Sequence, residues 1–269
     1  MTRKCCTQNL SNTPKDILRA HLAQAVTLGN QNEAELILKE HPELLLSRGT
    51  ILDHSGRKFT NTTVWEYTLW ALDVRYMAPM MLKCLLLSKQ IKNICMHLRH
   101  QFYELQNNGI TYELDGKKFR EKHYNFSIIE ILKNYVQNFS QWNWRERALF
   151  WASQVGMAQS LFPAHVVNHW CDPDESFKPT PSFKKEKLQR SLMYYNWKTN
   201  KYEFWFSNSD TSRLGIDFAI ARGQGVHATY VWLPFSNIIA SIDASAMAIL
   251  HKTRLEDLHL IKRQLTLLI

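Results

Sequence analysis

Residues 49–59 read GTILDHSGRKF, and residues 109–119 read GITYELDGKKF. The two stretches share an opening glycine, a turn glycine near the middle and a closing Lys-Phe pair at matching positions. Asp beside Gly favours a tight turn, because Asp bonds its own backbone and Gly tolerates positive φ. His54 and Ser55, the candidates for a reactive pair, are replaced by Leu114 and Asp115 in the second copy. The comparison therefore predicts two β-hairpins and no catalytic pair at this position.

Helical patterns surround the first hairpin. Thr13-Pro14 is typical of a helix start, and a second helix is predicted after Gly29-Asn30 and before HPELLL. Thr62 or Thr63 can cap a further helix. Apolar residues at spacings of three and four then predict one long helix over residues 79–106. Helix pairs joined through Asp-x-x-Gly turns are typical of ankyrin-like repeats, so we expect such pairs here.

The second half of the chain has a different pattern. Prolines at positions 163, 173, 179 and 181 exclude a continuous helix beyond Cys171. SLMYYNWKTNKYEFWF, residues 191–206, predicts a β-hairpin, and two helices close the chain, the last beginning at Thr253. The predicted fold class is mainly α, with degenerate ankyrin-like helix pairs, small β-hairpins and a smaller α+β C-terminal portion. The predicted organisation is a flexible 1–12, a helical domain over 13–160 and a mixed portion over 161–269 packed on it.

The overall composition restricts the compartment and the partners. The chain has 269 residues, 45% of them hydrophobic, and a formal net charge of +9, which favours acidic partners. Its five cysteines are an odd number without framework spacing, which fits free thiols in a reducing compartment. The N-terminus lacks the apolar core of a signal peptide, and no apolar run approaches the roughly 18 residues that span a bilayer.

The segment HVVNHWCD, residues 165–172, contains the strongest candidates for chemistry. His165 and His169 are i,i+4 neighbours on a helix and could share a metal, with Cys171 or Asp172 nearby. The Glu that HExxH requires after its first histidine is absent, so we expect no metal site. Cys171 with either histidine could form a nucleophile and base, although catalytic partners usually come from separate elements. No nucleotide-binding or cofactor motif is present, and we expect no cofactor.

Two groups of cations are candidates for binding. Lys89, Lys92 and Arg99 lie on one side of the predicted 79–106 helix and suggest a partner-binding face. Aromatic and basic residues alternate around Trp197 and Trp205, a pattern that could stack nucleic-acid bases. Any half-buried hairpin shows the same alternation, so nucleic acid is the less favoured partner.

Several segments resemble a family of ankyrin-like, Legionella-type proteins, from about residue 14 to the C-terminus. They are GTILDHSGRKFTNTTVWEYTLWALD, FPAHVVNHWCDPDESFKPTPSF, SLMYYNWKTNKYEFWF with LGIDFAIARG, and LHKTRLEDLHLIKRQL. The resemblance implies an effector that a type IV secretion system delivers from a bacterial cytoplasm into a host cytosol. It transfers no catalytic residue. Thr63-Val64-Trp65-Glu66 stands where a true ankyrin repeat has Thr-Pro-Leu-His.

The resulting functional hypothesis is a non-enzymatic module that binds a host protein with an acidic surface. Two alternatives stay open. One is an enzyme that modifies a host protein with a site drawn from Cys171, His165, His169 and Asp172. The other is a nucleic-acid-binding protein.

Overall fold

The computed structural model describes residues 13–86, 88, 90–190, 192–196, 199–205, 214–222, 228–229 and 237–268. The predictions for residues 1–12, and those for Lys89 and Trp197, lie outside these described residues. The elements of the described part form an α+β fold that contains a four-stranded antiparallel sheet.

Two helices joined by a short turn open the chain, as the sequence predicts. Helix α1 spans Pro14–Thr27 and helix α2 spans Gln31–Glu40. A capping box formed by Thr13 and Asp16 begins α1. Gly29, with φ of +70°, allows the chain to reverse between the two helices. A short 3₁₀ helix, Pro42–Leu46, then leads into the sheet.

The two matching stretches form the two halves of one sheet. Strands β1 (Gly49–Leu52) and β2 (Lys58–Thr62) make the first hairpin, and β3 (Ile110–Leu114) and β4 (Lys117–Glu121) make the second. The strand order is β1-β2-β3-β4, all antiparallel, because β2 pairs with β3 at Phe59 opposite Tyr112.

This sheet overturns the predicted ankyrin-like, mainly α architecture. In a repeat of stacked helix pairs each hairpin would belong to its own unit, whereas here the two hairpins share a continuous hydrogen-bonded ladder. No ankyrin repeat pattern is found in the described residues. The hairpin predictions are correct locally, but the pairing of β2 with β3 joins residues far apart in sequence, and local patterns do not encode such pairing.

The turn of the first hairpin has a structural function. The Asp53 carboxylate accepts hydrogen bonds from the backbone N–H groups of Ser55 and Arg57, each at 3.0 Å, and from the Ser55 hydroxyl at 2.6 Å. Gly56 and Gly116 both have positive φ, +85° and +73°, which explains why glycine stands at this position of both stretches. The Ser55 hydroxyl is thus used to close a turn.

A buried helix follows the first hairpin. Helix α3, Val64–Trp70, has all of its residues buried and begins with a capping box formed by Thr63 and Glu66. Phe59 of β2 packs on Trp70 at 4.8 Å between ring centroids and on Tyr67 at 5.2 Å. These aromatic contacts attach the sheet to the helical core.

The long helix predicted over residues 79–106 is divided into two. Helix α4 spans Met77–Leu85, and helix α5 spans Ile91–Asn108. The Ser88 hydroxyl accepts the backbone N–H of Gln90 at 3.2 Å, a local turn that competes with continuous helix. The prediction of one helix is therefore wrong, although α5 buries the predicted stripe that includes Ile94, Leu98, Phe102 and Leu105.

A series of shorter helices crosses the middle of the chain. It comprises α6 (Ile128–Asn138), α7 (Trp144–Phe150), a π-helical turn (Trp151–Val155), α8 (Gly156–Ser160) and α9 (Ala164–Cys171). Helix α9 ends at Cys171, as the prolines that follow it predict.

The C-terminal part has an irregular segment, small hairpins and one long helix. Strands β5 (Met193–Asn196) and β6 (Lys201–Phe204) form the predicted hairpin, and β7 (Ile220–Ala221) pairs with β8 (Ala228–Thr229). Helix α10 runs without interruption over Asn237–Leu267. The predicted helix start at Thr253 is therefore wrong, because that side chain is buried inside α10 and its hydroxyl donates to the Ser182 carbonyl at 3.3 Å.

One hydrophobic core includes side chains from both halves of the chain. Helix α10 packs along α6 and α5, so that Leu250, Leu258 and Ile261 join the core that α3 and α5 form. This packing brings the C-terminal helix beside α4, where the candidate groove lies.

Candidate partner-binding groove

The four candidates for catalysis lie on or beside α9, whose residues are all buried. His165 Nε2 lies 2.8 Å from the Ala71 carbonyl oxygen, so Nε2–H donates to that oxygen. Burial lowers the pKa of His165 to about 3, although Asp73 partly offsets this effect. His165 is therefore a neutral histidine that ties α9 to the end of α3.

His169 lies between a carboxylate and a guanidinium group. Its Nδ1 is 2.5 Å from Glu175 Oε2, and its Nε2 is 2.8 Å from Arg254 Nη2. Because a guanidinium can only donate, Nε2 must accept, and Nδ1–H donates to Glu175. Burial lowers the pKa of His169, in keeping with this neutral tautomer. Both ring nitrogens are thus occupied by protein groups.

Cys171 and Asp172 are likewise occupied with structure. Burial strongly raises the pKa of the Cys171 thiol, so that the thiolate needed for nucleophilic attack is disfavoured. The Asp172 carboxylate accepts from Lys185 Nζ at 3.1 Å and from the backbone N–H of Asp174 at 2.9 Å. The four candidates make separate contacts and do not converge on a common reacting atom. Within the described residues, no three His, Cys, Asp or Glu side chains are grouped as metal ligands.

An irregular segment, residues 172–190, crosses the surface between α9 and β5 and is here called the strap. Arg75 holds its middle, donating to the Lys184 carbonyl at 2.7 Å and to the Lys185 carbonyl at 3.2 Å. The Arg75 guanidinium also pairs with Asp257 of α10 at 2.9 Å. Arg75, which shortly precedes α4, therefore links the strap to α10.

Two further arginines hold the strap from below, and both are fully buried. Arg222 donates to the backbone carbonyls of Asp172 and Glu175. Arg254 donates to the Phe183 carbonyl at 3.2 Å and to Asp257 at 2.9 Å. Backbone carbonyls of an irregular segment need donors when they are buried, and these guanidinium groups supply them.

The end of the strap is fixed by an ion pair. Arg190 donates to both carboxylate oxygens of Asp73, at 2.8 and 3.2 Å, a bidentate arrangement. Burial alone would raise the pKa of Asp73, but Arg190 and the other donors outweigh it and lower this pKa to about 2. The strap is thus a fixed wall of the surface beside α4.

A groove runs along α4 between the strap, α2 and α10. Its widest part, about 700 Å³, is lined by Asn30, Arg75, Tyr76, Lys83, Lys187 and Arg190, among others. A second part of about 330 Å³ lies between the strap and α10, and a third of about 290 Å³ lies between α4 and the end of α10. Pro79 lines all three parts, so they lie next to one another along α4.

The two ends of the groove differ in character. The widest part is polar and carries the exposed cations Lys83 and Lys187. The third part is mainly apolar, with Leu82, Leu86 and Leu267 in its walls. A long cleft with a cationic end and an apolar end can bind a segment of complementary composition.

The predicted basic face lies on α5. Lys92 is exposed and Arg99 is half-buried, whereas Lys89 lies outside the described residues. The Lys262 ammonium of α10 lies 5.2 Å above the ring centroid of Tyr103 on α5. The face therefore includes cations from two helices, and the contribution of α10 was not predicted.

The rings of the described part of the aromatic hairpin divide between the core and the surface, where Tyr202 and Phe204 are exposed. Trp205 is buried, and it packs on Tyr194 at 5.6 Å and on Phe162 at 6.1 Å between ring centroids. Trp197 lies outside the described residues. The buried position of Trp205 fits a hairpin with one face on the core.

Sequence reasoning missed the arginines that build this site. Arg75, Arg190, Arg222 and Arg254 are scattered along the chain, and none stands in a recognisable motif. The concentration of Lys and Arg over residues 178–201 was a usable signal for the strap. The partners of these arginines could not be assigned from spacing.

None of the helices in the described residues has both the length and the apolar character needed to cross a membrane.

Comparison with known proteins shows the family. Residues 127–265 match the CBUA0006 C-terminal domain, which covers α6 to α10. The uncharacterized protein CBUA0006 of Coxiella burnetii (strain RSA 493 / Nine Mile phase I) is 34% identical over 264 residues. That alignment covers 92% of this chain and 75% of the Coxiella protein. No solved structure matches the chain. The chain belongs to the CBUA0006 family.

Proposed function

We propose that this protein is an effector-type protein that acts by binding a host protein with an acidic surface, without catalysing a reaction. In this proposal it is made in a bacterial cytoplasm and delivered by type IV secretion into a host cytosol. The sequence resemblance supports the delivery route, and the placement of the charged side chains supports the mode of action.

The basic face of α5 and α10 is the observation that carries the proposal. Lys92 and Lys262 are exposed, and α5 has no acidic residue between Ile91 and Tyr103. Exposed like charges create a local positive potential, which speeds the encounter with an acidic surface and favours it over other partners. Since Lys262 lies over the Tyr103 ring, the face also offers an aromatic contact beside the charge.

The placement of the catalytic candidates argues against the enzyme alternative. A thiol nucleophile must reach its substrate and ionise, but Cys171 is fully buried and burial raises its pKa. A histidine base needs a free ring nitrogen, and both nitrogens of His169 contact protein groups.

The experiment is a pull-down from eukaryotic cytosol with the full chain as bait, analysed by mass spectrometry for bound and covalently altered proteins. We expect a stoichiometric, unmodified partner that is lost with Lys92→Glu/Lys262→Glu. The matched control reverses two exposed lysines elsewhere, Lys117→Glu/Lys133→Glu, and should retain the partner.

Two results would contradict the proposal. A host protein that carries a new modification, abolished by Cys171→Ala in a folded variant, would show an enzyme. A bait that captures nucleic acid, with an affinity that falls steeply with added salt, would show a nucleic-acid-binding protein.

A further inference from the structure

The groove along α4 has a built cationic end. Lys83 and Lys187 are exposed, and neither forms an ion pair with another described residue. The acid Glu35 of α2, which lines the same part of the groove, is already paired with Lys39 at 2.8 Å. The lysine ammonium groups are therefore available to a ligand. Glu186 lines the same part of the groove, and its negative charge partly offsets theirs.

The wall that carries these cations is held in place before any ligand arrives. Arg190 is bonded to Asp73 through both carboxylate oxygens, and Arg75 is bonded to two strap carbonyls and to Asp257. A binding surface that is already ordered loses little conformational entropy on binding. The strap thus presents Lys187 on a fixed support.

The other end of the groove exposes leucine side chains. Leu86 is 57% exposed and Leu267 is 85% exposed, and both line the third part of the groove with Leu82. Covering exposed leucines that border a concave surface removes apolar area from water, which favours binding. An apolar side chain of a ligand would find its contacts here.

From these observations we infer that the groove binds an extended acidic segment of the protein partner, with an apolar anchor residue at one end. Carboxylates of the segment lie against Lys83 and Lys187, and the anchor lies against Leu86 and Leu267. The inference rests on the proposed function, because it names the segment by which the host partner is held. It adds a site separate from the α5 and α10 face.

The charge of the groove selects this occupant. A basic segment would be repelled by Lys83 and Lys187, and a wholly apolar one would leave those ammonium groups desolvated without partners. An acidic segment with an apolar anchor satisfies both ends.

The test uses the full chain and an array of synthetic peptides, about 15 residues each, that vary independently in glutamate and leucine content. We expect binding to strengthen with glutamate number and with one or two leucines at one end. Lys83→Glu/Lys187→Glu should weaken the binding of glutamate-rich peptides about tenfold or more, and it should remove the dependence of binding on glutamate content. Leu86→Ser/Leu267→Ser should remove the dependence on leucine and leave the dependence on glutamate.

The control variant Lys117→Glu/Lys133→Glu reverses two exposed lysines that do not line the groove, and it should bind the array like the wild type. Every lysine changed in these variants is exposed, and Leu86 and Leu267 are exposed as well. We therefore expect the variants to fold. A circular dichroism spectrum and an unfolding curve check this for each variant.

Two outcomes on the peptide array would overturn the inference. One is an array on which glutamate content has no effect on wild-type binding. The other is a dependence on glutamate that persists in folded Lys83→Glu/Lys187→Glu. Failure of the proposed function is a different result, because it is a pull-down without any unmodified partner. A partner lost with the face variant but kept by the groove variant would support the function and refute the groove.

Discussion

His165 makes the protein less stable in acid by an amount that can be calculated. Its side chain is 1% exposed, and burial lowers its pKa to about 3 from the value of 6.5 for a free histidine. Because the fold disfavours the protonated ring, the unfolded chain binds the proton more tightly between these two pKa values. The contribution of neutral His165 to the free energy of unfolding is fully present above about pH 6.5, and it is lost progressively as the pH falls towards about 3.

At pH 5 the loss from this one residue is about 2 kcal/mol relative to pH 8. The unfolded histidine is then about 97% protonated, whereas the folded one is almost entirely neutral. Any folded pKa below about 4 leads to nearly the same figure, since protonation of the folded state is then negligible at pH 5.

The variant His165→Gln isolates this effect. The glutamine amide can donate to the Ala71 carbonyl as the His165 Nε2–H does, but it does not titrate. Urea unfolding at pH 8 and pH 5, followed by tryptophan fluorescence, measures the free energy of unfolding. We expect the drop between the two pH values to be about 2 kcal/mol smaller in the variant than in the wild type.

His259→Gln, a change at an exposed position of α10, is the matched control and should leave the pH dependence as in the wild type. An equal drop in the wild type and in His165→Gln would refute the reasoning. It would mean that the ring is protonated, or freely hydrated, inside the fold. The absolute stability at pH 8 also depends on side-chain shape and is therefore not used in the comparison.

Two substitutions test the packing and the strap, and one labelling experiment tests the burial of Cys171. Phe59→Ala removes a fully buried ring between the sheet and α3 and should cost about 4 kcal/mol in urea unfolding, and a loss below about 1 kcal/mol would contradict this packing. Arg190→Leu leaves the Asp73 carboxylate without its bidentate partner and should cost about 3 kcal/mol, whereas unchanged stability would show that the strap is not held there. The buried Cys171 thiol should react with a thiol reagent only at the rate of unfolding, measured by peptide mass spectrometry, and rapid labelling of the native protein would reopen the enzyme alternative.

Local patterns predicted local structure well. Both hairpins, the capped start of α1, the α1–α2 pair and the end of α9 at Cys171 are where the sequence indicates. Each depends on residues within a few positions of one another, such as Thr13 with Asp16. The prediction failed at Ser88 and Thr253, where the same polar side chains can break, cap or continue a helix.

The candidate site was predicted only in part. The cations of α5 were recognised from helical spacing, but Lys262 comes from α10 and reaches Tyr103 only through packing. The Cys171 and His169 hypothesis arose from their closeness in sequence. Burial of every residue of α9, which no local pattern shows, argues against that hypothesis.

The sequence by itself determined the basic charge, which is a matter of composition. It also determined the hairpin turns and the starts of α1, α2 and α3, because hydrogen bonds between near neighbours decide them. Only the tertiary structure decided that β2 pairs with β3, which replaces an ankyrin-like stack with a single sheet. It also decided the groove, whose wall depends on Arg75 bonding to Asp257, 182 positions away. Such contacts form when a shared core brings distant segments together. The residue spacing within either segment does not show which distant segment it will contact.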